Sequence, residues 1–233
     1  MKSSKSSKIS RLLRLLLGLV IIGAASLVFV LKSPFFDVKE LNIEGISDLE
    51  SAVANNAIWK NIDGKKIFNI NQKYISDVIE RSSPEYKVTS YSYTFPNKIH
   101  LTLGKREAKY IIQASNGFFS ADAEGFIIEK LSTSKYSNVI YDKSIETGKK
   151  VSDLYLKAAL SYANLNQIIN VSDNKITITL KNGGTVILPV DSAVKNISEL
   201  SKTLQKIIQK YTIEGRELEL IDLRFSKPLV KYN

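Results

Sequence analysis

The chain has 233 residues, 44% of them hydrophobic, which leaves room for one or two compact domains with real cores. Its formal net charge of +10 suggests a nucleic-acid binder, but Lys2, Lys5, Lys8, Arg11, Arg14 and Lys32 supply six of those charges before residue 34, leaving 10 − 6 = +4 for the other 200 residues. Basicity is therefore a property of the tail, and the absence of cysteine excludes disulfides and zinc–thiolate sites.

Residues 1–11 read as a basic tail. It leads into Leu15 to Leu31, seventeen residues without a charge between Arg14 and Lys32. At about 1.5 Å per residue this run is close to the thickness of a bilayer's hydrocarbon core, so a transmembrane helix is expected over 12–31. Five basic residues on its N-terminal side orient the start inside and the bulk outside. A cleaved signal peptide is the rival reading, because Gly23-Ala24-Ala25 offers small residues, but "SLVFVL" carries the apolar run on past them.

Residues 34–106 read as one unit. "FFDVKELNIEG" is strand-like, with its alternation slipping once between Val38 and Leu41. Ser47 and Glu50 have capping-box spacing, and Leu49, Ala52, Val53, Asn56 and Ala57 follow on one helical face. An extended Ile67-Phe68 step, an Asn71 cap, a stripe of Tyr74, Ile75, Val78 and Ile79, and Pro84 as a stop predict a second helix. "YTFPNKIHLTLGKRE" then gives two strands around Phe95-Pro96-Asn97, with Ile99, Leu101 and Leu103 facing in. The order is β-α-α-β-β.

Residues 107–233 read as strands around two helices. Asn116-Gly117 and Asp122-Ala123-Glu124-Gly125 break the first strands. A Ser152 cap opens a helix with a stripe of Leu154, Tyr155, Ala158, Ala159, Tyr162 and Leu165. "KITITLKNGGTVILP" is a hairpin that turns at Asn182-Gly183-Gly184. Ile197, Leu200, Leu204, Ile207, Ile208 and Tyr211 repeat at helical spacing, and one final strand is expected from Glu217 to Tyr232. The fold class expected for the whole chain is α+β.

The chemistry-bearing residues have plain structural readings. His100 lies on the polar side of its strand with no nucleophile motif nearby, and takes no role. Asp122 and Glu124 are imaginable as an acid pair for glycan hydrolysis, but at that spacing they read as turn residues. Gly183-Gly184 lacks the Lys-Ser/Thr of a phosphate loop. No catalytic residue, cofactor or metal site is expected, which leaves protein binding as the function.

The β-α-α-β-β order, with "FFDVKELNIEG", "GKKIFNIN" and "YTFPNKIHLTLGKRE", resembles a POTRA (polypeptide-transport-associated) domain. A basic tail, one anchor and such a domain are similar to the FtsQ/DivIB cell-division proteins. "FFSADAEGFIIEKL" resembles the Asp-x-x-Gly hairpin of their second domain, and "LIDLRFSKPLVKY" their closing strand, with Asp222, Leu223, Arg224 and Phe225 at matching places. Lys105-Arg106-Glu107-Ala108 departs from the family's Glu-Arg-x-Pro step. The resemblance implies a non-enzymatic, single-pass scaffold of the bacterial cytoplasmic membrane. Its extracytoplasmic domains would bind FtsB- and FtsL-like proteins at the septum.

On that resemblance the last strand is expected to be an edge that accepts a partner's strand. Pro228 has no N–H, which suits an edge or a break just before one, and Lys227 and Lys231 would guard it. Phe225, Leu229 and Tyr232 would offer contact surface, while Arg224 or Lys227 meets an acidic residue of the partner. The competing expectation is that Phe225 and Leu229 fill the core. Two other function classes stay open: a POTRA-bearing transport component, and an anchored wall-modifying enzyme.

Overall fold

The computed structural model describes residues 4–133, 137–163, 168–181, 183–190 and 197–233, with side chains from residue 16 onward. It is a mixed α+β protein of two compact units, one comprising 1–79 and 88–104, the other 80–87 and 105–233.

The first unit opens with α1 (Ser4–Lys32), a continuous helix of 29 residues. Helix therefore takes in most of the stretch expected as a separate tail. Among the described residues no helix is long and apolar enough to cross a membrane, the side chains of residues 4–15 lying outside them.

A 3₁₀ turn, Pro34–Phe36, comes next, and β1 (Glu40–Glu44) starts only after it. The expected strand was too long by its first half. The slip at Val38 marks the place, because the Lys39 and Glu40 N–H groups both donate to the Asn97 carbonyl as the chain enters the sheet. Gly45 closes β1 at φ +90°, and a Cβ there would overlap the Leu103 carbonyl oxygen, so only glycine fits.

Helix α2 (Asp48–Ile62) carries the capping box as read: Ser47 Oγ accepts the Glu50 N–H, and the Glu50 carboxylate accepts the Ser47 N–H at 3.1 Å. Its buried face is Ala54, Ile58 and Ile62, whereas Leu49 is 80% exposed and Val53 is also exposed. The expected face was wrong because apolar residues lie on two sides of this helix, and packing selects the side with the isoleucines. Ser47→Ala removes one arm of the box and is expected to lower unit stability by about 1 kcal/mol, read as a lower urea midpoint.

Ile67–Asn69 forms a second 3₁₀ turn where an extended step was expected. Asn71 Oδ1 then accepts the Tyr74 N–H and α3 (Gln72–Ser82) buries Ile75, Val78 and Ile79, as its stripe indicates. β2 (Tyr86–Thr94) and β3 (Lys98–Lys105) complete a sheet of order β1-β3-β2, with β1 parallel to β3. Ile99, Leu101 and Leu103 are buried on one side of β3 while His100 sits on the other, its Nε2 3.3 Å from Thr94 Oγ1.

The second unit is built on a nine-stranded sheet. β4 (Tyr110–Ala114), β5 (Gly117–Ala121) and β6 (Ile127–Leu131) form an antiparallel meander through the two expected turns. β7 (Val139–Tyr141) and β8 (Ile169–Ser172) were not anticipated, since three- and four-residue strands are too short to show a period of two. They pair in parallel, joined by helix α4 (Leu154–Tyr162). Its N-cap is Asp153 rather than Ser152: Asp153 Oδ1 accepts the N–H groups of Tyr155 and Leu156. The one-residue shift turns Leu154 outward and buries Leu156, Ala159, Leu160 and Tyr162; Leu165 lies outside the described residues.

β9 (Lys175–Thr179) and β10 (Thr185–Leu188) form the expected hairpin, although Asn182 of its turn lies outside the described residues. Helix α5 (Ile197–Ile213) crosses over to β11 (Leu218–Asp222), which runs parallel to β10 and antiparallel to β12 (Leu229–Tyr232). The sheet order is β12-β11-β10-β9-β8-β7-β4-β5-β6. Cross-strand register places Ile169, Val171, Ile176, Ile178, Val186 and Leu188 on one face, against α4. The single strand expected from Glu217 to Tyr232 is in fact a pair of strands, because the chain turns back at Leu223–Pro228.

Candidate functional site: the edge strand and its turn

β12 has one neighbour, β11, and stands last in the sheet, so its outer row of N–H and C=O groups faces no strand among the described residues. Pro228 sits immediately before it, where a missing N–H costs no ladder bond.

The turn that delivers the chain to this edge is held by Asp222. Its carboxylate is buried and accepts four contacts from Arg224: the backbone N–H and Nε on Oδ1 at 3.0 Å each, Nε on Oδ2 at 3.2 Å, and Nη2 on Oδ2 at 2.6 Å. The Arg224 guanidinium, and then its N–H, hold the Asp222 carboxyl below the usual carboxylate range against the opposing effect of burial. This contribution to stability is present above the unfolded carboxylate pKa and is lost as pH falls through the lower folded one. Asp222→Asn is therefore expected to cost about 2 kcal/mol near neutrality and progressively less below about pH 4, read from urea midpoints across that range.

The six residues expected at the partner site are distributed as follows. Phe225 and Leu229 are 58% and 53% exposed, so neither fills the core. Lys227 is exposed as well. Arg224 is committed to Asp222, with Phe225 beside its guanidinium at 5.8 Å. Lys231 pairs with Glu219 across the β11–β12 hairpin at 2.8 Å. Tyr232 leans back on Tyr211 of α5, ring centroids 4.9 Å apart, and under the Arg216 guanidinium at 4.3 Å. Phe225, Lys227 and Leu229 thus face solvent around Pro228, while Arg224, Lys231 and Tyr232, also exposed, are each engaged by a neighbour of the same unit.

The unit also holds a groove of about 710 Å³ between α5 and the sheet, lined by Ile140, Asn170, Thr179 and Ile208, with Lys181 and Arg216 among its cations. Its described lining carries no carboxylate or imidazole.

Asp122, the other acidic candidate, anchors a turn: Oδ1 accepts the N–H groups of Glu124 and Phe126, each at 2.9 Å. Its second oxygen meets Arg106 Nη1 at 2.6 Å. In the sequence this arginine stands out only as part of the Lys105–Ala108 step and receives no role there. Arg106 is buried, donates from Nη2 to Glu80 at 3.1 Å, and lies 3.8 Å over the Phe126 ring. The available signal was an arginine directly after an alternating strand and ahead of an Asp-x-x-Gly turn.

Residues 110–224 match the family described as cell division protein FtsQ/DivIB, C-terminal. The chain is similar to the cell division protein DivIB of Clostridium acetobutylicum, 26% identical over 155 residues, covering 64% of this chain and 60% of the relative. It is also similar to DivIB of Clostridium botulinum, 27% identical over 130 residues, covering 55% and 49%. The matched parts are less than two thirds of either relative's length.

Proposed function

We propose, from this chain's belonging to the FtsQ/DivIB family of cell-division proteins, that it is a membrane-anchored, non-enzymatic scaffold that holds other division proteins through the β12 edge. The observation that carries the reading is the open edge itself. A strand paired on one side only, with exposed Leu229 on it and exposed Phe225 and Lys227 in the turn before it, offers main-chain hydrogen bonds, apolar contact and one cation to an incoming acidic strand. FtsB- and FtsL-like proteins are the partners proposed.

Anchoring is supported by α1. From Leu16 to Leu31, ten large apolar side chains are each more than half exposed, on all sides of the helix. A helix apolar all round and uncovered by its own protein is suited to lipid. The proposed topology places the N-terminus in the cytoplasm and the chain after Lys32 outside, near the septum. A POTRA-like role for the first unit rests on its β-α-α-β-β order and its β1-β3-β2 sheet.

Deletion of residues 227–233 tests the edge. The full chain without them is expected to remain folded by circular dichroism and to lose capture of a purified FtsB–FtsL-like pair. Unchanged affinity in a folded truncation removes the edge from the account.

A further inference from the structure

We infer that the first unit carries an aromatic collar that lies in the headgroup boundary of the membrane, formed by Phe35, Phe36 and Phe68 at the C-terminal end of α1. The inference rests on the anchoring of α1 proposed above and adds a lipid-contacting surface on the folded unit.

The three rings make a continuous patch. Phe35 and Phe36 meet edge to face at 5.2 Å, and Phe36 lies 6.1 Å from Phe68. Phe35 is 56% exposed and Phe68 41%. Phe68 is more than thirty residues away in sequence, and folding brings it to the end of the apolar helix.

The patch is held there by the backbone. The Ser33 N–H still donates to Phe29 of α1 at 2.8 Å, so the helix runs up to the turn without a free linker. Lys66 Nζ then grips both the Ser33 carbonyl, at 2.6 Å, and the Asp37 carboxylate. Backbone pairing of Asp37 with Lys66, and of the Val38 N–H with the Lys65 carbonyl at 3.0 Å, binds the same segment to the turn that carries Phe68. Phe35 follows Leu31 by four residues, about 14 Å of extended chain at most, so an anchored α1 leaves these rings within the thickness of the headgroup layer.

The chemistry suits that layer and no dry protein interface is needed to explain it. Phenylalanine rings on a surface next to a spanning helix bury at the acyl side of the headgroup boundary, as they do on the apolar face of an interfacial helix. Lys32 and Lys39 flank the patch and are exposed, while Lys66 already neutralises Asp37, the carboxylate closest to it in sequence. The occupant is therefore an anionic lipid surface.

The test uses the full chain in vesicles of phosphatidylcholine and phosphatidylglycerol, with a single reporter: Phe68→Trp in a Trp59→Phe background, and Phe35→Trp as a second position. Both positions are exposed, so either substitution is tolerated. With lipids brominated near the glycerol end of the acyl chain, each reporter is expected to lose about half its emission and to shift to the blue, as for a ring buried ~5–10 Å into the boundary. Alkali-resistant vesicle association with reporters that stay unquenched overturns the collar alone. Release of the protein by alkali overturns the anchor and the collar with it.

Discussion

Arg106→Met is expected to destabilise the second unit by about 3–5 kcal/mol, because it leaves the buried Asp122 carboxylate, and Glu80 beside it, without the cation that meets both. The arginine also supplies packing: its guanidinium covers Phe126, and its own N–H donates to the Glu85 carbonyl at 2.7 Å. One side chain thus ties residues 80–86 to the β5–β6 turn. Arg106→Lys is expected to recover little, since an ammonium cannot span two carboxylates in a plane and stack on a ring at once. Combining Arg106→Met with Asp122→Asn should recover part of the loss by removing the orphaned charge, although the Asp122 turn bonds keep the recovery incomplete. Urea unfolding of the four proteins measures all of this, and a loss below about 1 kcal/mol for Arg106→Met would show the pair to be solvated after all.

Leu101→Asp should abolish cooperative unfolding of the first unit. Leu101 is 2% exposed at the centre of β3, and a carboxylate forced into that position costs more than about 4 kcal/mol, a large share of what so small a core can supply. Leu49→Asp is the matched control. Leu49 shares the sequence logic of a buried apolar position but points outward, so its replacement is expected to change stability by no more than about 0.5 kcal/mol. Similar melts for the two variants would mean that the face assigned to α2 is mistaken.

The two leucines mark the boundary between what the chain announces and what folding selects. Local rules carried far where one signal dominates: the Ser47–Glu50 box, the Asn71 cap, the alternation of β3 and the turns at Asn116-Gly117 and Asp122–Gly125 are all present as read. Each depends on residues within four positions of one another, so no distant contact is needed to specify it. The motifs at the ends of the second unit, carried by the same local residues, pointed to the FtsQ/DivIB family.

Tertiary structure decided whatever depended on a choice among neighbours. α2 has apolar side chains on two sides, and only the sheet determines that Ala54, Ile58 and Ile62 turn inward. β7 and β8 are too short to be recognised alone and exist because β4 and β9 provide ladders for them. The final segment was legible as extended, but its reversal required Asp222 to be buried and to capture Arg224, a bond between a carboxylate and a guanidinium that no hydrophobic period encodes. That reversal makes β12 the last strand and leaves Phe225 and Leu229 in solvent. Arg106 is the clearest case: charge patterns along a chain show which residues are ionised, whereas a buried pair is made only when Arg106 and Asp122 are brought together in one dry place, with Glu80 at its rim, where the attraction is little screened by water.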